Sequence, residues 1–278
     1  MCRELITVVT ISFNAGSSIR KTMESVLAQT YRPLEYIIVD GGSSDNTMEI
    51  VKELEPDFRN RGIAFRSLSE RDKGIYDAMN KGIQLASGRW INFMNSGDVF
   101  CNKDVISGLF SFDLCADVKL LYGDTLRVKS YAVVPSKGSV PEVTPLRMPA
   151  CHQAMFADVA EMKKNLFDLS YHLAADYHFV YNLYRRGARL QYIPMDVALC
   201  EAVDGVSSVY KLEVKSECAR IRGIDKTFKW RLFFLRKKIS FRVQKAIEKL
   251  IPSRYLLEVK KANRKRLEAR TRSMDAHR

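Results

Sequence analysis

Apolar and polar positions in the first hundred residues follow two alternating patterns. Continuous β-branched and apolar runs predict four buried strands, at residues 5–13, 36–39, 63–68 and 90–94. Apolar positions spaced by three and four residues predict the helices between them, at residues 19–29, 45–54 and 74–86. Strands that alternate with helices form a parallel sheet covered by helices, so the pattern predicts an α/β fold.

The pattern changes after Lys119. The long crossover helices end here. A short strand (residues 120–122), a hairpin (123–134) and a proline-containing loop (135–149) are predicted next, and then a helix (176–186) and two strand-like segments (190–193 and 197–199). We interpret this half as a second layer on the same sheet. From residue 211 onward charge runs and helical periodicity continue to the C-terminus, so the sequence predicts a catalytic domain at 1–210 and a helical tail at 211–278.

Composition supports a folded body with an appendage of different character. The chain has 278 residues, of which 46% are apolar and 28% charged, and this excludes a disordered or fibrous protein. The net charge of +13 belongs to the tail: residues 211–278 hold 22 Lys and Arg against 7 Asp and Glu, whereas residues 1–210 hold 23 against 25. A near-neutral body argues against a nucleic-acid-binding protein, and a basic tail favours attachment to an anionic surface.

The cysteines and the N-terminus point to the cytoplasm. The six cysteines form no C-x-x-C pair, which argues against a structural zinc site or a disulfide framework and for a reducing compartment. Residues 1–13 are apolar, but Glu4 interrupts them and no basic segment precedes them, so we interpret them as a first strand rather than a signal peptide. No stretch reaches the roughly 18 uninterrupted apolar residues of a spanning helix.

Small or polar residues follow three of the predicted strands, at Ser12, Asp40 and Asn95. Ligands of open α/β sheets bind at the carboxyl ends of the strands. The sequence therefore predicts a crevice of nucleotide size at this edge.

Three segments in order, at residues 8–14, 38–47 and 72–82, resemble the inverting family 2 glycosyltransferases of the GT-A fold. The likeness covers roughly residues 5–210, and the segments at 72–80 and 151–154 are similar to the bacterial exopolysaccharide and glycolipid transferases of the colanic-acid type. The resemblance implies a Rossmann-like mixed sheet, a nucleoside-diphosphate-sugar donor, and a saccharide or lipid-linked acceptor. It also implies a function in polysaccharide or glycolipid biosynthesis.

The resemblance assigns the donor nucleotide to the loops after the first strands. The implied nucleotide-binding residues are Thr10, Ser12, Asp40, Gly42, Asp72 and Lys73. Glycines beside Asp40 let the backbone approach a ligand, and a basic residue suits a diphosphate. The alternatives are that Asp40 is a turn and capping residue and that the 71–73 loop is simply solvated.

Asp98 occupies the place of the family's metal-binding acidic motif. A divalent cation, Mn²⁺ or Mg²⁺, would offset the charge of the sugar diphosphate, and Asp98 is the only carboxylate in the 95–98 segment. The alternative is an ordinary turn before the next helix.

Inversion needs one carboxylate that takes the proton of the acceptor hydroxyl, and the resemblance points to Asp176 as this catalytic base. A helix-capping carboxylate is the alternative, and both roles can hold at once. His152, Gln153 and, in a loop similar to the family's Gly-Gly-Val-Ser segment, Gly205 are weaker candidates for binding the acceptor or the diphosphate. A structural histidine is the competing interpretation of His152.

In the tail, apolar residues at helical spacing over residues 226–250 are surrounded by lysines and arginines. This pattern is typical of an interfacial amphipathic helix on an anionic membrane, although such a stripe also packs on protein bodies. The leading hypothesis is a peripheral glycosyltransferase at the cytoplasmic face of the membrane, with no nucleic acid as partner. The alternatives are a nucleotidyltransferase that makes nucleotide sugars, for which residues 14–17 offer only one glycine, and a nucleic-acid-binding protein that uses the tail.

Overall fold

A computed structural model describes residues 3–115, 117–129, 132–201 and 210–250. The strands in these ranges are β1 (Ile6–Ser12), β2 (Leu34–Asp40), β3 (Ala64–Ser69), β4 (Trp90–Phe93), β5 (Val99–Phe100), β6 (Val118–Lys129), β7 (Ala132–Ser136), β8 (Met155–Asp158) and β9 (Arg189–Glu201). The helices in these ranges are α1 (Ile19–Leu27), α2 (Thr47–Asn60), α3 (Ile75–Leu85), α4 (Val105–Leu109), α5 (Val159–Lys164), α6 (Ala175–Arg185), α7 (Lys211–Ile221) and α8 (Phe228–Leu250).

The strands form one mixed sheet in the order β3-β2-β1-β4-β8-β6-β9-β5, with β7 paired to β6. Strands β3, β2, β1 and β4 run parallel to one another. The direction changes at β8, which is antiparallel to both β4 and β6. Because β2, β1 and β4 are parallel neighbours, they end side by side at one edge of the sheet, and β4 is the strand at which the parallel part meets the rest.

Helices cover both faces of the sheet. Alternate residues of β1 point to opposite faces, so that Ile6 and Val8 join one apolar cluster, and Val9 and Ile11 join the other. Helices α1, α2 and α4 contribute to the first cluster, and α3, α5 and α6 contribute to the second. Every residue of β1 and β2 is buried, which explains why apolar and β-branched residues predominate in these segments.

Helix α2 is longer than the sequence pattern predicts. The expected helix stops at Leu54, but α2 continues past Pro56 to Asn60. Phe58 near its end is fully buried and packs on Tyr36 of β2, with the ring centroids 4.9 Å apart. Burial of this aromatic ring stabilises the last turn despite the proline, which by itself disfavours a helix interior.

Strands β6 and β9 are also longer than expected. The short strand predicted at 120–122 extends over 12 residues, and the two segments predicted at 190–193 and 197–199 are one strand of 13 residues. The pairing of β6 with β9 shifts register around Asp124. A Cβ at Gly123 would lie 2.6 Å from the carbonyl oxygen of Met195, so glycine is needed where the strands approach.

The chain divides into two compact units, residues 1–129 with 133–222, and residues 130–132 with 223–278. Helix α7 belongs to the first unit, in which it packs with α6. No helix among the described residues is both long and apolar enough to cross a bilayer.

Candidate functional site

The loop after β2 is organised around the carboxylate of Asp40. This side chain is fully buried and accepts five hydrogen bonds, from the hydroxyls of Ser12, Ser43 and Ser69 and from the backbone N–H groups of Gly42 and Ser43. Two carboxylate oxygens offer about four lone-pair positions, so these donors occupy the acceptor capacity of Asp40. Asp40 therefore fixes the shape of the loop.

The charge of Asp40 is maintained by these bonds. Burial raises the pKa of this carboxyl, but the hydrogen bonds from Ser43, Ser69 and Ser12 lower it by more, and the resulting pKa lies below its ordinary value. The loop is consequently held by an ionised group at neutral pH.

Thr10 and Ser12 support the loop from within the sheet. The hydroxyl of Thr10 is fully buried, lies 2.8 Å from the Tyr36 hydroxyl, and donates to the carbonyl oxygen of Met94 at 2.8 Å. Ser12 donates to Asp40 at 3.1 Å. These two residues therefore connect β1 to β2 and to the segment that follows β4.

A second loop, residues 70–74, lies against the first. A Cβ at Gly41 would be 2.6 Å from Asp72 Oδ2, so the glycine permits this approach, and Gly42 has a φ of +81° that other residues rarely adopt. Asp72 accepts a hydrogen bond from the N–H of Gly74 at 2.9 Å, while Lys73 is exposed. Asp72 thus lies against Gly41 at the end of β2, beside Gly42, and the exposed Lys73 follows Asp72 in the same loop.

Asp98 lies beyond the end of β4 and contacts a segment more than fifty residues away. Its side chain is 8% exposed, and its Oδ2 accepts a hydrogen bond from Gln153 Nε2 at 2.7 Å. The turn that holds it has Gly97 at a φ of +100°, with the N–H of Gly97 donating to Thr22 Oγ1 at 2.9 Å.

His152 lies between Asp176 and the turn after β4. Its Nδ1 is 3.4 Å from Asp176 Oδ2, and its Nε2 is 3.0 Å from Asn95 Nδ2. Burial lowers the pKa of His152, but the hydrogen bond and the charge of Asp176 raise it by more, so the pKa lies above its ordinary value. His152 thus connects Asp176 to the edge of the parallel sheet.

Asp176 is in the first turn of α6, where sequence analysis placed it. Its Oδ1 accepts hydrogen bonds from the Tyr76 hydroxyl at 3.0 Å and from the N–H of Tyr177 at 2.8 Å. Burial, and then the charge of Asp176, raise the pKa of Tyr76 far above its ordinary value, so this hydroxyl keeps its proton and donates. Asp176 is 21% exposed at its side chain, which leaves it accessible.

Tyr76 contacts Asp176 and Asn95 contacts His152, and the sequence predicted neither contact. Both belong to segments recognised as motifs, but neither was assigned a contact with Asp176 or His152. Tyr76 is 100 positions from Asp176, and no spacing in the sequence signals such a pair. Gly205, the remaining candidate, lies outside the described residues together with the rest of its loop.

Within the described part of the chain, three buried oxygens around Asp98 have no hydrogen-bond partner, namely Asn95 Oδ1, Ser96 Oγ and Gln153 Oε1. In the described part of the chain, no three His, Cys, Asp or Glu side chains lie together as ligands for a metal ion. Buried polar atoms are nearly always paired in proteins, and a bound polar or cationic ligand would pair these oxygens. A hard cation held by Asp98 and by oxygens of a bound phosphate fits this donor set.

Comparison with known proteins gives a consistent result. Residues 7–113 match the family described as Glycosyl transferase family 2. An uncharacterized glycosyltransferase of Mycobacterium tuberculosis strain H37Rv is 34% identical over 181 residues, which are 63% of this chain and 67% of that protein. A PGL/p-HBAD biosynthesis glycosyltransferase of Mycobacterium bovis strain BCG is 26% identical over 216 residues, 75% of this chain and 81% of that protein.

Solved structures share the fold. S. aureus TarS in complex with UDP-GlcNAc has a TM-score of 0.61 at 19% identity and covers 78% of this chain. The mannosyltransferase PcManGT from Pyrobaculum calidifontis in complex with GDP-Man and Mn²⁺ has a TM-score of 0.59 at 17% identity and covers 79%. This chain spans 66% and 63% of those two chains and 39% of a longer TarS chain. The expected GT-A fold is confirmed.

We expect Asp40→Asn to lower the free energy of unfolding by about 2 to 4 kcal/mol at pH 7, because an amide cannot accept the donors that the carboxylate holds. The folded-state pKa is lowered, so the carboxylate stabilises the fold fully above the pKa of a free aspartate, about 3.9, and this stabilisation is lost as the pH falls through the folded-state pKa. The difference between the two proteins should therefore shrink below pH 4.

Denaturant unfolding of both proteins between pH 3 and 7 measures this difference. Asp113→Asn, at an exposed position, is the control and should change stability little. A difference that stays constant over the whole pH range would contradict the assigned charge of Asp40.

Proposed function

The chain belongs to glycosyl transferase family 2, and on this premise we propose that it moves a sugar from a nucleoside-diphosphate sugar to a saccharide or lipid-linked acceptor with inversion. The family match confirms the glycosyltransferase interpretation over the nucleotidyltransferase and nucleic-acid alternatives. The biological setting that we propose is bacterial exopolysaccharide, lipopolysaccharide or glycolipid biosynthesis. The likeness to the PGL/p-HBAD biosynthesis glycosyltransferase of Mycobacterium bovis supports a biosynthetic setting.

One observation carries the proposal. A chain of contacts runs from Tyr76 through Asp176 and His152 to Asn95, and Asn95 belongs to the same turn as Asp98. A carboxylate accessible to an acceptor is thereby linked to the edge of the sheet where a nucleotide would lie. This arrangement suits a reaction between two substrates that meet at one point.

For the donor, we propose that Gly42, Asp72 and Lys73 meet the nucleotide, and that Thr10, Ser12 and Asp40 hold the loop that receives it. The buried contacts of the last three residues support a holding function. The UDP-GlcNAc and GDP-Man complexes of the structural neighbours support a nucleotide sugar as the donor class.

For the chemistry, we propose that Asp176 is the general base. The acceptor hydroxyl would give its proton to the Asp176 carboxylate as its oxygen attacks the anomeric carbon, and the nucleoside diphosphate would leave from the opposite side. The hydrogen bonds from Tyr76 and Tyr177 keep one oxygen of Asp176 engaged, so the other oxygen, which faces His152, is the one assigned to the proton. We assign His152, Gln153 and Gly205 to the acceptor or the diphosphate.

We propose that Asp98 holds a divalent cation, Mn²⁺ or Mg²⁺, together with oxygens of the donor diphosphate. When bound, the cation would offset the negative charge of the leaving diphosphate. Mg²⁺ and similar ions are commonly held by one or two carboxylates plus substrate phosphates, which fits a single carboxylate here. The unpaired oxygens of Asn95, Ser96 and Gln153 support a ligand at this place.

We also propose that α8 binds the anionic cytoplasmic face of the membrane. Six of its apolar side chains are exposed by 42% or more: Phe228, Leu232, Phe233, Leu235, Ile239 and Val243. Lys237 and Lys238 lie over the rings of Phe233 and Phe234 at 5.8 and 5.0 Å. The side chains of residues 244–250, and all residues after 250, lie outside the described residues.

The proposed activity is tested with a panel of nucleotide sugars, measured by thermal stabilisation and by release of nucleoside diphosphate, with and without Mn²⁺. We expect one donor to stabilise the protein and to be hydrolysed slowly in the presence of Mn²⁺. Failure of every donor of the panel to bind, in a correctly folded protein, would overturn the proposal.

We expect Asp98→Ala to abolish Mn²⁺-dependent nucleotide binding and transfer while the protein remains folded, because Asp98 is the only carboxylate of its turn. Calorimetry with the selected nucleoside diphosphate, with and without Mn²⁺, measures the loss. If the variant binds as tightly as the wild type and with the same metal dependence, Asp98 does not hold the cation.

We expect Asp176→Asn to keep donor binding and to lower turnover by about a hundredfold or more, the usual effect of removing a positioned general base. The amide oxygen can still accept a hydrogen bond at the start of α6, so stability should change little. Asp168→Asn, at an exposed carboxylate in the loop before α6, is the matched control. Activity of Asp176→Asn within a few-fold of the control would reduce Asp176 to a helix-capping residue.

We expect combined Arg236→Gln, Lys237→Gln and Lys238→Gln substitutions to weaken binding to anionic vesicles by about a hundredfold, since each basic residue near such a surface contributes about 1 kcal/mol. Wild-type binding should also fall with salt. Sedimentation with phosphatidylglycerol vesicles measures both effects, and Lys211→Gln with Lys215→Gln on α7 is the control. Wild-type protein that stays in the supernatant at low salt would exclude the membrane as a partner.

A further inference from the structure

Helix α7 contacts the segment immediately before α6 through one carboxylate. Glu217 accepts three backbone hydrogen bonds, from His172 to Oε1 and from Leu173 and Ala174 to Oε2, each at 2.9 Å. The three donors are consecutive in the sequence and 43 to 45 positions away from Glu217.

The local sequence provides no side-chain cap at the start of α6. The first N–H groups of a helix have no partner within the helix, and a Ser, Thr, Asp or Asn at the capping position usually accepts one of them. The capping position of α6 is Ala174, which has no side-chain acceptor. Glu217 of another helix accepts from the N–H of Ala174 itself and of the two residues before it, so it holds the chain that enters α6, and its negative charge also interacts favourably with the positive end of the α6 dipole.

A second contact of α7 holds the same segment. Arg220 donates to the carbonyl oxygen of Ser170 at 2.7 Å, and its guanidinium lies 4.2 Å from the centre of the Tyr171 ring. Ala219, which lies between Glu217 and Arg220 on α7, is almost fully buried, at 1% exposure. Residues 170–174 are therefore fixed by α7 along their whole length.

The segment fixed in this way leads directly into Asp176. Asp176 is two residues after Ala174, and its distances to Tyr76 and His152 are set by where α6 begins. We propose that Glu217 is a positioning residue for sugar transfer, because its hold on residues 172–174 places the Asp176 carboxylate. This inference rests on the proposed function of Asp176 as the base. Misplacement of a reacting group by about 1 Å can cost on the order of a hundredfold in rate.

Two variants test the proposal in the full chain, Glu217→Ala and Glu217→Gln, with Glu213→Ala as the matched control. Glu213 is an exposed carboxylate one turn earlier on the same helix. The assay is release of nucleoside diphosphate from the nucleotide sugar that the donor panel selects. We expect Glu217→Ala to lower kcat by about ten- to a hundredfold while the donor KM stays within about twofold. Glu217→Gln should be intermediate, because its amide oxygen still accepts while its NH₂ group cannot.

A double-mutant cycle with Asp176→Asn separates positioning from a general loss of structure. If Glu217 acts through Asp176, adding Glu217→Ala to Asp176→Asn should change the remaining activity by less than about twofold. Independent losses that multiply would overturn the positioning function. Near-wild-type activity of Asp176→Asn alone would instead overturn the proposed base, so the two failures are distinguishable.

Amide hydrogen exchange provides a readout that does not depend on activity. In Glu217→Gln, exchange of the amides of residues 172–174 should increase, while exchange in α3 should match that of the wild type. Unchanged exchange at residues 172–174 would overturn the proposal, including in the case that Glu217→Ala does not fold.

Discussion

A buried carboxylate must be paired, and the edge of the sheet that forms the candidate site is arranged around this requirement at Asp40. Burial of an ionised group without partners is costly, and the cost is offset here by donors from three segments: the end of β1, the loop after β2 and the end of β3. The donors of Ser12 and Ser69 lie at the ends of parallel strands, so they tie the carboxylate that holds the loop to the sheet. The glycines at 41 and 42 then allow the neighbouring 70–74 loop to approach.

The other half of the site is joined to this edge where the sheet changes direction. Strand β8 is antiparallel to β4, and the short turn before β8 contains His152 and Gln153. Gln153 contacts Asp98, and His152 contacts both Asn95 and Asp176. The turn therefore connects the strand-end groups with the start of α6. The pKa of His152 lies above its ordinary value because of this placement: burial lowers it, and the hydrogen bond and charge of the adjacent Asp176 raise it by more.

The sequence predicted those parts of the structure that depend on local pattern. The first four strands and helices α1 and α3 lie within a few residues of their expected positions, because buried strands and amphipathic helices produce periodic sequences. It did not predict that α2 passes Pro56, which depends on the packing of Phe58 on Tyr36, or that β9 continues through Pro194 in its pairing with β6. Asp98 and Asp176 could be located from motif segments, and their functions stay predictions. Their partners Gln153, His152 and Tyr76, like the contact of Glu217 with residues 172–174, come from contacts over 24 to 100 positions and leave no pattern in the sequence.

The order of the strands along the chain has a consequence for synthesis on the ribosome. Strands β1 to β4, with the Asp40 loop, are the first to be made, whereas β8, which pairs with β4, and α6, which contains Asp176, come more than fifty residues later. A nascent chain that ends before the turn at residues 152–154 lacks both His152 and Asp176 and exposes an unpaired edge of β4. Such an edge can pair with other chains until β8 is added, so the segment that brings His152 to the site also carries the strand that protects the growing sheet from aggregation.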